Sequence, residues 1–128
     1  MRTAFAALAS FLLLCGAAQA ADTCKPSLLV ETWLIKTQIG VKCTAAVARS
    51  GKLTASTCYS RGKKVGWLTG RATLSKACEI AGRITVHSTS SKVPYKLTGD
   101  FNPRRRAFIG YMTRPNDTVL FRADIYRR

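Results

Sequence analysis

The sequence predicts an all-β domain: a small up-and-down antiparallel β-barrel of about eight strands, with a two-sheet β-sandwich as the alternative. Three observations predict it. Apolar and polar residues alternate with period two from Leu28 onward. Turn-forming residues recur roughly every 8–12 residues. No segment carries a convincing helical period; the best candidate, 71–81, is bounded by Gly70 and Gly82 and its apolar spacing is mixed.

The expected strands are 28–37, 41–48, 53–59, 65–74, 78–87, 93–101, 107–113 and 118–126. Turn signals separate them, among them Ser50-Gly51, Arg61-Gly62, Asn102-Pro103 and Pro115-Asn116. The first strand is apolar on both faces around Val30, Trp33, Leu34 and Ile35, so it should lie deep or be covered. Later strands show one apolar face each. Cys78, Ile80, Ile84 and Val86 share a face, as do Val93, Tyr95, Leu97 and Phe101, and then Val119, Phe121, Ala123 and Ile125. Trp33, Trp67, Phe101, Phe108 and Phe121 read as side chains that fill the interior. Sequential strands joined by short turns favour the barrel, because closure leaves no exposed sheet edge.

The first twenty residues read as a cleavable export signal. Arg2 supplies the positive end, 4–15 form a short apolar run, and Ala18-Gln19-Ala20 gives the small-x-small pattern before the cut. The run is too short to cross about 30 Å of hydrocarbon as a helix. A single domain over 21–128 follows, with no linker, repeat or low-complexity run inside it. The expected location is secreted or periplasmic.

Four cysteines lie beyond the expected cut: Cys24, Cys43, Cys58 and Cys78. An even count in an exported chain of this size predicts two disulfides. Zinc is the competing reading, but the cysteines stand 19, 15 and 20 residues apart and His87 is the only histidine. One pairing follows from geometry. If Ser50-Gly51 is a two-residue hairpin loop, Cys43 and Cys58 face each other across the two strands, which leaves Cys24 with Cys78. A three-residue bulged loop shifts the register by one and breaks that match.

Charge is the loudest signal. Removing Arg2 with the signal leaves 20 Lys plus Arg against 6 Asp plus Glu, a net of +14. Such an imbalance destabilises through self-repulsion and speeds encounter with anions. It exceeds what solubility requires.

Little here suggests an enzyme. His87 falls on a polar strand face, and the carboxylates Asp22, Glu31, Glu79, Asp100, Asp117 and Asp124 are isolated in sequence. There is no phosphate-cradling glycine loop, nucleophile elbow or paired-histidine helix, so no cofactor or metal is expected. The basic clusters carry the functional expectation. Arg104, Arg105 and Arg106 stand at one turn, Lys63 and Lys64 at another, and Arg114 at a third. Planar guanidinium groups suit carboxylate, phosphate and sulfate oxygens. The expected function is therefore non-enzymatic binding of an anionic surface or polymer: lipid headgroups, lipopolysaccharide or acidic glycans, with peripheral membrane contact included. The alternative is an inhibitor or partner of another, acidic, exported protein. Export and the lack of an oligonucleotide-binding signature disfavour nucleic acid.

Overall fold

The computed structural model describes residues 23–126. The export signal expected at 1–20 lies outside them, as do Asp22, Arg127 and Arg128. The strands are β1 (Thr32–Thr37), β2 (Val41–Val47), β3 (Leu53–Ser60), β4 (Lys63–Leu74), β5 (Glu79–His87), β6 (Lys92–Asn102), β7 (Ala107–Arg114) and β8 (Asp117–Tyr126). They form one closed antiparallel barrel in which each strand pairs with its neighbours in the chain and β8 pairs with β1. Closure decides for the barrel over the sandwich.

The expected first strand begins too early. Residues Pro26–Leu29 form a 3-10 helix, with Pro at its start, and the chain turns extended only at Thr32. Cys24 donates its N–H to the Lys76 carbonyl and is bonded to Cys78, which pins the helix to the β4–β5 turn. The chain thereby closes one pole of the barrel, the one carrying the β2–β3, β4–β5 and β6–β7 turns. Trp33 seals it from within. Its indole N–H donates to the Leu29 carbonyl at 2.9 Å, and its ring meets the edge of Phe108, which in turn meets Phe121. The opposite pole, with the β1–β2, β3–β4, β5–β6 and β7–β8 turns, has no such plug among the described residues.

The Cys43–Cys58 bridge forms across β2 and β3 as the hairpin argument expects, but the hairpin differs from the one assumed. The loop has three residues, Arg49 to Gly51, with Gly51 at φ 85° and Ala48 bonded to Lys52. That shifts the register by one, to Val47 opposite Leu53. A bulge with Thr54 as its extra residue shifts it back, to Ala46 opposite Ala55, and Cys43 meets Cys58. Two irregularities cancel.

A second bulge overturns the reading of Trp67 as interior. The Arg61-Gly62 turn has both residues at positive φ, as a tight hairpin requires, and sets Tyr59 opposite Lys64. Val65 is then extra, so Gly66 and not Val65 faces Cys58. Every later side chain on β4 changes side. Leu68 turns inward, while Trp67 stands on the outer surface with 40% of it exposed. The regular β3–β4 ladder stops there. Ser56 repairs the seam, its hydroxyl accepting from the Leu68 N–H at 2.6 Å and donating to the Leu68 carbonyl at 2.7 Å.

Ser56→Ala leaves both backbone groups of Leu68 without that partner. It should lower the unfolding free energy by about 1–3 kcal/mol. A urea titration should show a lower midpoint with an unchanged slope.

Candidate functional site

Barrel strands send alternate side chains outward, and antiparallel register decides which of them meet. On β4, β5 and β6 the register sets Arg71 opposite Arg83 and Arg83 opposite Lys96, while a single bridge sets Lys52 opposite Arg71. All four side chains are exposed. They form an unbroken cationic row across the outer wall, about 14 Å long from three inter-strand steps of about 4.8 Å. None of the four joins an ion pair among the described residues. The row lies along a shallow groove that the backbone of Gly70 and Gly82 helps to line. These glycines let β4 and β5 approach. A Cβ at Gly70 would stand 2.1 Å from the Arg83 carbonyl oxygen, and one at Gly82 would stand 2.2 Å from that of Arg71.

A second row follows the other side of the barrel. Arg122, Lys36, Lys42, Tyr59 and Lys64 face one another in succession across β8, β1, β2, β3 and β4. Here one acid intervenes: Asp124 accepts from the Arg122 guanidinium at 3.2 Å.

The six cations singled out in the sequence are not gathered into one site. Arg104, Arg105 and Arg106 occupy the β6–β7 turn at the closed pole, while Lys63, Lys64 and Arg114 stand at the open pole. The arginine turn is held by its backbone. The Asn102 side-chain oxygen accepts from the N–H groups of Arg104 at 3.0 Å and Arg105 at 3.2 Å, leaving both guanidinium groups exposed. Arg106 sits at φ 53° and is half-buried. Arg114 is engaged: its guanidinium lies 3.7 Å from Asp117 and over the Tyr95 ring, whose hydroxyl donates to Asp117. Burial pushes the Tyr95 phenol above its ordinary pKa; the Arg114 cation opposes this and Asp117 adds to it.

His87 is stacked flat on the outward Trp67, with ring centroids 5.1 Å apart, and its Nε2 lies 2.7 Å from the Thr69 hydroxyl. These contacts fix the imidazole against the outer wall. Glu79 and Asp100, far apart in sequence, face each other across β5 and β6. No group of three or more potential metal ligands occurs among the described residues. In comparisons with known proteins, no family model matches the chain, and neither a curated protein nor a solved structure matches it significantly.

Cations directly opposite one another destabilise a sheet. Arg83 has one on each side, so Arg83→Gln removes two such pairs and should raise stability by about 0.4–2 kcal/mol at low ionic strength. Thermal unfolding with and without added salt checks this: the gain over the parent should shrink as salt screens the repulsion.

Proposed function

We propose that this is an exported, non-enzymatic binding protein that holds an extended polyanion along the outer wall through Lys52, Arg71, Arg83 and Lys96. The observation that carries this reading is the row itself, four cations in ladder register with no acid among them. A repeating array about 14 Å long suits a chain of carboxylates, sulfates or phosphates better than one small anion. An acidic glycan or the phosphates of lipopolysaccharide or lipid headgroups supply such an array. The second row and the exposed Arg104 and Arg105 are placed to extend the contact when the polymer is long. Export is supported by the signal-like first twenty residues and by two intramolecular disulfides, which suit an oxidising compartment.

The test compares two triple variants on a sulfated polysaccharide resin and on anionic vesicles. Arg71→Ser/Arg83→Ser/Lys96→Ser should weaken binding roughly tenfold to a hundredfold, taking about 0.5–1 kcal/mol per lost contact. Arg104→Ser/Arg105→Ser/Arg106→Ser should weaken it less. A wall variant that elutes at the parent's salt concentration overturns the assignment. A partner protein that both variants retain at high salt favours the inhibitor reading instead.

A further inference from the structure

The open pole leads into a cavity of about 150 Å³ inside the barrel. Its floor is the aromatic layer of Trp33 and Phe121, and its walls include Ile35, Leu68, Ile84, Leu97, Met112 and Val119. The second bulge turns Gly66 inward to line the space, and a Cβ there would stand 1.9 Å from the His87 carbonyl oxygen, so the position admits no side chain. The mouth is apolar as well. Ile39, with 63% of its surface exposed, and Val65, with 42%, stand at its rim.

Water is a poor occupant. A water held in a cavity needs two to four polar partners, whereas an apolar cavity of about 150 Å³ stays dry and takes a benzene-sized molecule. The polar side chains near this mouth already have protein partners. The Thr37 hydroxyl donates to the Val41 carbonyl and accepts from the Val41 N–H. The Ser88 hydroxyl pairs with Ser91, and the Tyr95 hydroxyl donates to Asp117.

The charge around the mouth is one-sided. Arg61, Lys63, Lys92 and Arg114 belong to the turns and strand ends of this pole, against Asp117 alone among its described residues. Lys63 pairs with Ser60, one step from the outward Tyr59–Lys64 pair, and so has the inward parity at the rim. Asp117 is already shared between Arg114 and Tyr95.

We propose that the barrel binds a compact anionic amphiphile, with a single aromatic ring or short alkyl group in the cavity and its carboxylate or phosphate at the mouth beside Lys63 and Arg114. This site is separate from the cationic wall and does not depend on it. The two regions of the ligand are read from two observations, the apolar lining of the interior and the cationic rim.

The test is calorimetric titration of the full-length mature protein with hexanoate and with hexanol, matched in tail and differing in head. Saturable binding of hexanoate at one site, tighter than hexanol by about fivefold or more, is expected. Val119→Phe, which fills the cavity, should abolish both. Because an enlarged core side chain can disturb folding, Lys63→Ser/Arg114→Ser serves as the second variant: it should weaken hexanoate severalfold and leave hexanol unchanged. The wall triple variant should bind hexanoate like the parent, so failure of the polyanion reading and failure of this one are told apart. If the parent binds neither compound, or a folded Val119→Phe protein binds both like the parent, the cavity assignment is overturned. Equal affinity for the two compounds, unmoved by the rim variant, overturns the anionic half of the proposal.

Discussion

The seating of Trp33 under the N-terminal 3-10 helix is the interaction on which the other features depend. The interior of an eight-stranded barrel is wide enough that side chains must either fill it or leave room for a small guest. Here one indole, edge-on to Phe108 and bonded to the Leu29 carbonyl, fills the closed half. Burying a side chain of that size removes about 150–250 Å² from water, worth about 4–6 kcal/mol. The hydrogen bond ties the indole to the helix, and Cys24–Cys78 ties the chain before the helix to the β4–β5 turn. Ordering this cap costs conformational entropy, which the disulfide offsets by restricting the unfolded chain. For a separation of 54 residues that contribution is about 4 kcal/mol on the chain-entropy estimate. With one pole sealed this way, the other need not be packed.

Much of this architecture was legible because strand alternation and turn chemistry are local. The inward faces of β5, β6 and β8 follow directly from period two, and the Asn102-Pro103 turn from its residues. The facing of Trp67 is not legible because a bulge adds one residue and reverses every later side chain on that strand. Val65 is such a residue, and it moves Trp67 from the expected core to the surface. The Cys43–Cys58 pairing follows in the sequence from a two-residue loop that the chain does not form. It holds because the Thr54 bulge undoes the shift that the longer loop introduces. The 3-10 helix is not legible because four residues are too few to show a period; Pro26 ahead of an apolar pair is its one start signal.

The cations show the same division between local and non-local information. Arg104, Arg105 and Arg106 are conspicuous because they are adjacent in the chain, yet they form a solvated turn at one pole. Lys52, Arg71, Arg83 and Lys96 look like scattered surface charges until the register places them side by side. Period two puts Arg83 and Lys96 opposite the apolar faces of their strands. Only the pairing of β4 with β5 and of β5 with β6 showed that these faces carry one continuous row.

That row has a thermodynamic consequence. Among the described residues, five pairs of cations face each other directly: Lys52–Arg71, Arg71–Arg83 and Arg83–Lys96 on one side, Lys36–Lys42 and Lys36–Arg122 on the other. At about 0.2–1 kcal/mol each they cost the fold about 1–5 kcal/mol, a large share of the 5–15 kcal/mol typical of a whole domain. The two disulfides, at about 4 and 3 kcal/mol, are of the size needed to offset it. An outward strand position accepts threonine without that cost, as Thr69 and Thr85 do, facing each other across β4 and β5. Cations held in register therefore have no explanation in the stability of the free chain. A bound polyanion would neutralise the whole row at once, and it is this return of free energy that makes the wall, rather than either set of turns, the stronger candidate for the anion site.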